Sequence, residues 1–252
     1  MANYKEIKGI SIQTTDTDPE VYAGSWAAGG TMNNARYGLA GCGIQTAGLA
    51  FGGATPVKNE TETYNGTAWT EVANLNLARA SLAGAGTNTA GLAFGGLVPP
   101  AAGGGEKDET ETFNGSSWTE VNDLNTGRLG LSGAGITTAA LAMGGNTPHT
   151  VNVAVVESWD GTSWTEVNDL NTARKFKGVA TQGTPAAALV YSGDAGGSNT
   201  AITESYNGST WTEVNDVNTA RSRGGGAGTQ GAALFFGGDP DAAEIWEQED
   251  KT

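Results

Sequence analysis

Five times along the chain a tryptophan stands ten residues before an arginine, and no other feature restricts the fold as strongly. The pairs are Trp26–Arg36, Trp69–Arg79, Trp118–Arg128, Trp164–Arg174 and Trp211–Arg221. Three of the intervening stretches are almost the same: WTEVNDLNTGR, WTEVNDLNTAR and WTEVNDVNTAR. WTEVANLNLAR precedes them, and a degenerate WAAGGTMNNAR opens the series. The copies recur at about 47 residues, the period of a four-stranded propeller blade. A unit of that size cannot bury a hydrophobic face alone, so neighbouring units have to stack.

After each arginine comes a run of small residues and then an apolar run, as in ASLAGAGTNTAGLAFGG. The run ends in a glycine pair at Gly52-Gly53, Gly95-Gly96, Gly144-Gly145 and Gly237-Gly238; Ser192-Gly193 stands in the fourth copy. An acidic-aromatic element follows: Glu62 with Tyr64, Glu111 with Phe113, Glu157 with Trp159, Glu204 with Tyr206 and Glu244 with Trp246. Each unit therefore holds four short β-patterned runs bounded by turn residues. The third and fourth are joined by Asn65-Gly66, Asn114-Gly115, Asp160-Gly161 or Asn207-Gly208, pairs that tolerate the positive φ of a tight hairpin.

The ends are complementary. The chain begins with a spare tryptophan element and finishes at Glu244–Trp246 without one. Residues near Tyr22–Ala28 are thus expected to pair with the strand around Ala243–Gln248, closing the ring and leaving no sheet incomplete. This predicts an all-β, five-bladed propeller of four-stranded blades. Residues 1–19 form an N-terminal extension, a candidate anchor, and 20–252 a single domain in which a strand at about 20–30 completes the blade at about 221–250.

Composition limits the partners. The net charge is −14 and the 13 basic residues are scattered; such a surface repels phosphate backbones, which argues against nucleic acid. No apolar run reaches the length that spans a bilayer, and the opening MANYKEIKGI lacks the apolar core of a signal peptide. Cys42, the single cysteine, falls where Ala85, Ala134, Ala180 and Ala227 fall in the other units and reads as a packing residue. With one histidine, His149, there is no set for metal or nucleophilic catalysis. No cofactor, metal or catalytic residue is expected, and the chain is read as a non-enzyme.

The order of apolar run, double glycine, Glu-x-aromatic, tryptophan and arginine resembles the kelch repeat. Among kelch-like propellers, the oxidases hold copper with several histidines and tyrosines, which this chain cannot supply. The MANYKEIKG opening and the NTAR and AGAGTQ-type units further resemble virion-associated proteins of marine bacteriophages. That resemblance implies a tail-fibre or appendage role in host recognition, other virion proteins as partners, and residence in the virion or outside the cell after lysis. Otherwise the chain would be cytoplasmic.

Within such a ring the repeated side chains read first as structure. Trp26, Trp69, Trp118, Trp164 and Trp211 could stack on sugars, but one per blade favours packing against the neighbouring blade. Arg36, Arg79, Arg128, Arg174 and Arg221 are expected to pair with Glu62, Glu111, Glu157, Glu204 and Glu244 or to cap strand carbonyls at blade junctions. The Asn/Asp sets Asn122, Asp123 and Asn125, Asn168, Asp169 and Asn171, and Asn215, Asp216 and Asn218 are placed around the channel mouth, as turn caps before sugar or cation ligands.

Variation concentrates in the loop between the glycine pair and the glutamate, where the spacing runs 9, 15, 12, 11 and 6 residues. Loops on a rigid scaffold carry most binding residues. The candidate binding positions are therefore Lys58, Pro99, Pro100, Glu106, Lys107, Asp108, His149, Asp194, Asp239 and Asp241. A glycan or protein receptor is the expected partner there; a multivalent lectin with one sugar site per blade is the alternative.

Overall fold

The computed structural model describes residues 28–99, 104–147, 151–240 and 243–247. It is a five-bladed β-propeller of small antiparallel sheets, and the described residues contain no helix. Blade I comprises β1 (Ala40–Ile44), β2 (Ala47–Phe51), β3 (Thr61–Tyr64) and β4 (Trp69–Val72). Blade II comprises β5 (Ala83–Gly86), β6 (Gly91–Phe94), β7 (Thr110–Phe113) and β8 (Trp118–Val121). Blade III holds β9 (Ser132–Ile136), β10 (Ala139–Asn146), β11 (Asn152–Trp159) and β12 (Trp164–Val167).

Blade IV is built from β13 (Gly178–Val179), β14 (Ala188–Tyr191), β17 (Thr203–Tyr206) and β18 (Trp211–Val214). A separate two-stranded ribbon, β15 (Asp194–Ala195) with β16 (Ser198–Asn199), stands in its variable loop. Blade V has β19 (Gly225–Gly228), β20 (Ala232–Phe236) and β21 (Ala243–Glu247) among the described residues. The closing strand expected at Tyr22–Ala28 and the extension 1–19 lie, but for Ala28, outside the described residues.

Each blade is a simple meander, its first strand innermost. Hairpins between third and fourth strands close as the Asn-Gly and Asp-Gly pairs require. Asn65 Oδ1 accepts the N–H groups of Thr67 and Ala68 at 3.0 and 2.9 Å. Asp160 does the same for Thr162 and Ser163, bonds that hold its carboxyl below the usual range. The glycine pair turns the chain sharply: Gly95 and Gly96 have φ of 67° and 108°. A Cβ on Gly95 would stand 2.8 Å from the Arg128 carbonyl, where the connection into blade III passes. In blade IV Ser192 takes that position with φ 61°. Its Oγ accepts the Arg221 N–H at 3.0 Å, a bond no glycine could make.

The core lies between blades. Trp118 packs on Phe51 of blade I, ring centroids 5.0 Å apart, and Trp164 on Phe94 of blade II at 4.9 Å. Trp118, Trp164 and Trp211 are buried. Such edge-to-face ring pairs add to the area the indoles remove from water.

Candidate functional site

Trp118, Trp164 and Trp211 therefore join blades rather than present sugar platforms. Trp118 Nε1 donates to Thr61 Oγ1 across the junction at 3.1 Å, and Trp164 Nε1 to Thr110 Oγ1 at 3.0 Å. Trp211 Nε1 donates to the Asn168 carbonyl at 3.0 Å. Trp69 lies against Tyr64 of its own blade, ring centroids 5.0 Å apart and tilted by 35°; Trp26 lies outside the described residues.

Each repeated arginine meets the glutamate of the blade it enters. The distances are 2.7 Å for Arg36–Glu62, 3.1 Å for Arg79–Glu111, 2.9 Å for Arg128–Glu157, 2.6 Å for Arg174–Glu204 and 2.9 Å for Arg221–Glu244. The guanidinium also caps strand carbonyls: Arg128 donates to Gly144, Val155 and Ala142 at 2.8, 2.7 and 3.5 Å. Burial lowers the affinity of Arg79, Arg128 and Arg174 for their protons, and the paired glutamates oppose that shift.

An asparagine three residues before the arginine completes the clamp. Asn76 binds Glu111 Oε2 through its backbone N–H and its Nδ2, at 2.7 and 2.9 Å. Asn33 holds Glu62 in the same way, and Asn125 holds Glu157. The expectation of a polar ring round the channel mouth is corrected here. Asn125 and Asn171 also reach the carbonyls of Trp164 and Trp211 on the outermost strands. Asp123, Asp169 and Asp216 cap the amides of Thr110, Val156 and Thr203, while Asn122 donates to the Thr162 carbonyl of blade III. Spacing along the chain gives the face of the ring, not the distance from its axis.

Loops between second and third strands share a face with the connections between blades. Leu75 N–H bonds the Asn59 carbonyl at 2.9 Å and Leu124 N–H the Asp108 carbonyl at 3.0 Å. Among the described residues, the candidate binding positions on this face do not converge. Lys58 is paired with Glu60 at 3.0 Å and Lys107 with Glu109 at 3.3 Å. Glu106 forms a bridge with Leu97, close to Pro99, and Asp108 is exposed. Pro100, His149 and Asp241 lie outside the described residues. Asp194 and Asp239 differ from the others, because they bridge Lys175 and Ser222 beside the axis.

Those bridges belong to a collar that the sequence reading did not assign. In every blade the residue after the arginine bridges the residue after the glycine pair. The next residue has positive φ: Gly38 61°, Ser81 53°, Gly130 61°, Phe176 51° and Arg223 63°. Their backbones link in series, Ser81 N–H to Gly38, Gly130 to Ser81, Phe176 to Gly130 and Arg223 to Phe176, at 2.7 to 2.8 Å.

The collar side chains break the symmetry. Two cations approach the Phe176 ring, Lys175 Nζ at 5.7 Å and the Arg223 guanidinium at 5.1 Å from its centroid. Tyr37, in the same position as Lys175, is 69% exposed. Lys175, Lys177 and Arg223 are the basic side chains of the described residues that make no ion pair with a carboxylate. A ready signal existed: Tyr-Gly, Ala-Ser, Leu-Gly, Lys-Phe and Ser-Arg follow the five arginines, the most varied pair in an otherwise uniform stretch.

On the opposite face the axis opens into a cavity of about 270 Å³. Its walls are the first-strand hairpins of blades I to IV, with Ile44 and Ile136 exposed at the rim. Cys42 lines it, its Sγ 3.4 Å from the Thr87 carbonyl. Burial pushes its thiol up to about 12. No group of three histidine, cysteine or acidic residues among the described ones could hold a metal ion. Together these features define a five-bladed β-propeller with a polar, aromatic collar on its loop face. No protein-family model and no curated protein sequence matches the chain.

Proposed function

We propose that the chain is a non-enzymatic recognition module that binds a glycan through the axial collar and the loops around it. The observation that carries this reading is the collar: Tyr37, Phe176, Lys175 and Arg223 project from a scaffold whose other arginines are all neutralised within it. Aromatic faces suit the C–H side of a sugar ring. The nearby cations and Asp194 and Asp239 offer donors and acceptors for its hydroxyl or acidic groups. A kelch-type ancestry, with a place on a bacteriophage tail fibre or appendage, is consistent with the repeat and its sequence resemblance. A protein receptor is the second reading, supported by the varied loops. The one-site-per-blade lectin is disfavoured, because the indoles it would use are buried at Trp118, Trp164 and Trp211.

The test is a glycan-array and whole-cell binding screen with the labelled protein and two variants. Arg223→Ala and Phe176→Gly should each weaken binding at least tenfold. Phe176→Gly should leave the melting temperature unchanged or higher, since glycine relieves a left-handed aromatic residue. Removing residues 100–107 should alter selectivity while folding persists. Binding that is untouched by both collar substitutions would remove the collar from the site.

A further inference from the structure

Each collar residue rests on the one before it, and from blade III to blade V this makes a stair. A Cβ on Gly130 would stand 2.9 Å from the Phe176 ring, so the absent side chain makes room for that ring over blade III. The Phe176 N–H bonds the Gly130 carbonyl and the Arg223 N–H the Phe176 carbonyl, both at 2.8 Å. The Arg223 guanidinium then lies over the ring, 5.1 Å from its centroid, in a residue that is exposed. At the same step blades I and II have Gly38 and Ser81, which carry no charge.

Both cations of the stair lack an acid partner among the described residues. Lys175 stands opposite Asp194 in an antiparallel bridge, where opposite charges ordinarily pair. Its Nζ goes instead to the Phe176 ring at 5.7 Å, and Asp194 Oδ1 accepts the Gly197 N–H at 2.8 Å. Asp239, opposite Ser222, forms no ion pair with Arg223 either. A chain with a net charge of −14 has acids in excess to neutralise its cations. Two cations left unneutralised on one ring therefore point to an anion from outside the chain. A guanidinium offers that anion a planar fork of donors, which grips an oxyanion through two parallel bonds.

We infer that the collar takes an acidic glycan, whose carboxylate or sulfate is held by the Arg223 fork and shared with Lys175. This rests on the glycan reading above and narrows it. Phe176 is then a positioning residue: seated on Gly130, it fixes the plane of the guanidinium.

The test titrates the full chain, at physiological ionic strength, with dextran sulfate, alginate, dextran and carboxyl-reduced alginate. At least one acidic polymer should bind about tenfold or more tightly than its neutral counterpart, and which one does separates sulfate from carboxylate. Arg223→Ala and Arg223→Lys should both remove most of that preference, because a point charge lacks the fork. Their melting temperatures should stay at the parent value, since Arg223 is exposed. Phe176→Gly should reduce the preference severalfold; a ring serving only as a sugar platform would weaken acidic and neutral polymers alike. Equal binding of acidic and neutral polymers overturns the inference and leaves the collar as a glycan site. No binding of either acidic polymer overturns it, and the glycan array then decides the collar reading separately. Poly-L-glutamate bound as tightly as the polysaccharides overturns it as well, making an acidic peptide the partner. An intact preference in Arg223→Lys would overturn the fork.

Discussion

Lys177 shows how much one side chain can depart from the rule its repeat sets. Blades I to III have Leu39, Leu82 and Leu131 at this position. Lys177 is 5% exposed, and its Nζ reaches only the Arg174 carbonyl, at 3.3 Å. Burial, with Arg174 and Arg128 nearby, holds its ammonium well below the ordinary lysine range; Glu204 offsets part of this. The folded chain therefore binds this proton less readily than the unfolded chain does. Stability should rise with pH up to the unfolded lysine value, about 10.4, and fall as pH drops toward the depressed folded one. Lys177→Leu should raise stability by roughly 1–3 kcal/mol near neutral pH and flatten the dependence, as read from melts between pH 6 and 10. The Arg174 carbonyl would still accept the Gly145 N–H. The sequence displays the lysine, but not its depth. The left-handed conformation of Ser81, Phe176 and Arg223 was equally hidden, because it is imposed by bridges and backbone bonds on either side and not by the residues themselves.

At the scale of the element, the clamp that joins blades is the main determinant. Arg128→Ala would leave Glu157 buried without its cation and should cost roughly 3–5 kcal/mol, seen as a large fall in melting temperature. A melt within a degree of the parent would show that the pair is dispensable. This layer was largely legible: the Asn-Gly hairpins, the recurring arginine and glutamate, and Cys42 in an alanine slot of β1 all follow from register. Less was legible where partners are remote in sequence. The role of Asn76 and its counterparts depends on a carboxylate some thirty-five residues on, and their distance from the axis cannot be counted along the chain. The ribbon of β15 and β16 was missed because its strands are only two residues long, with turn residues at Gly196 and Gly197.

For the molecule as a whole, the clamps separate two populations of charge. The arginines and their glutamates lie in the dry junctions, at side-chain exposures of 0–14%. Taking these neutral pairs away leaves the net charge of −14 unchanged, so that excess is spread over residues outside the clamps. Salt acts strongly on the second population and little on the first. The Debye length falls from about 30 Å at 0.01 M to about 8 Å at physiological ionic strength, which quiets repulsion between exposed acids while the buried pairs keep their strength. The melting temperature should therefore climb between 10 mM and 500 mM sodium chloride, and a fall over that range would place the stabilising charge on the surface instead. Ions that weaken proteins fastened by surface pairs would instead relieve this one.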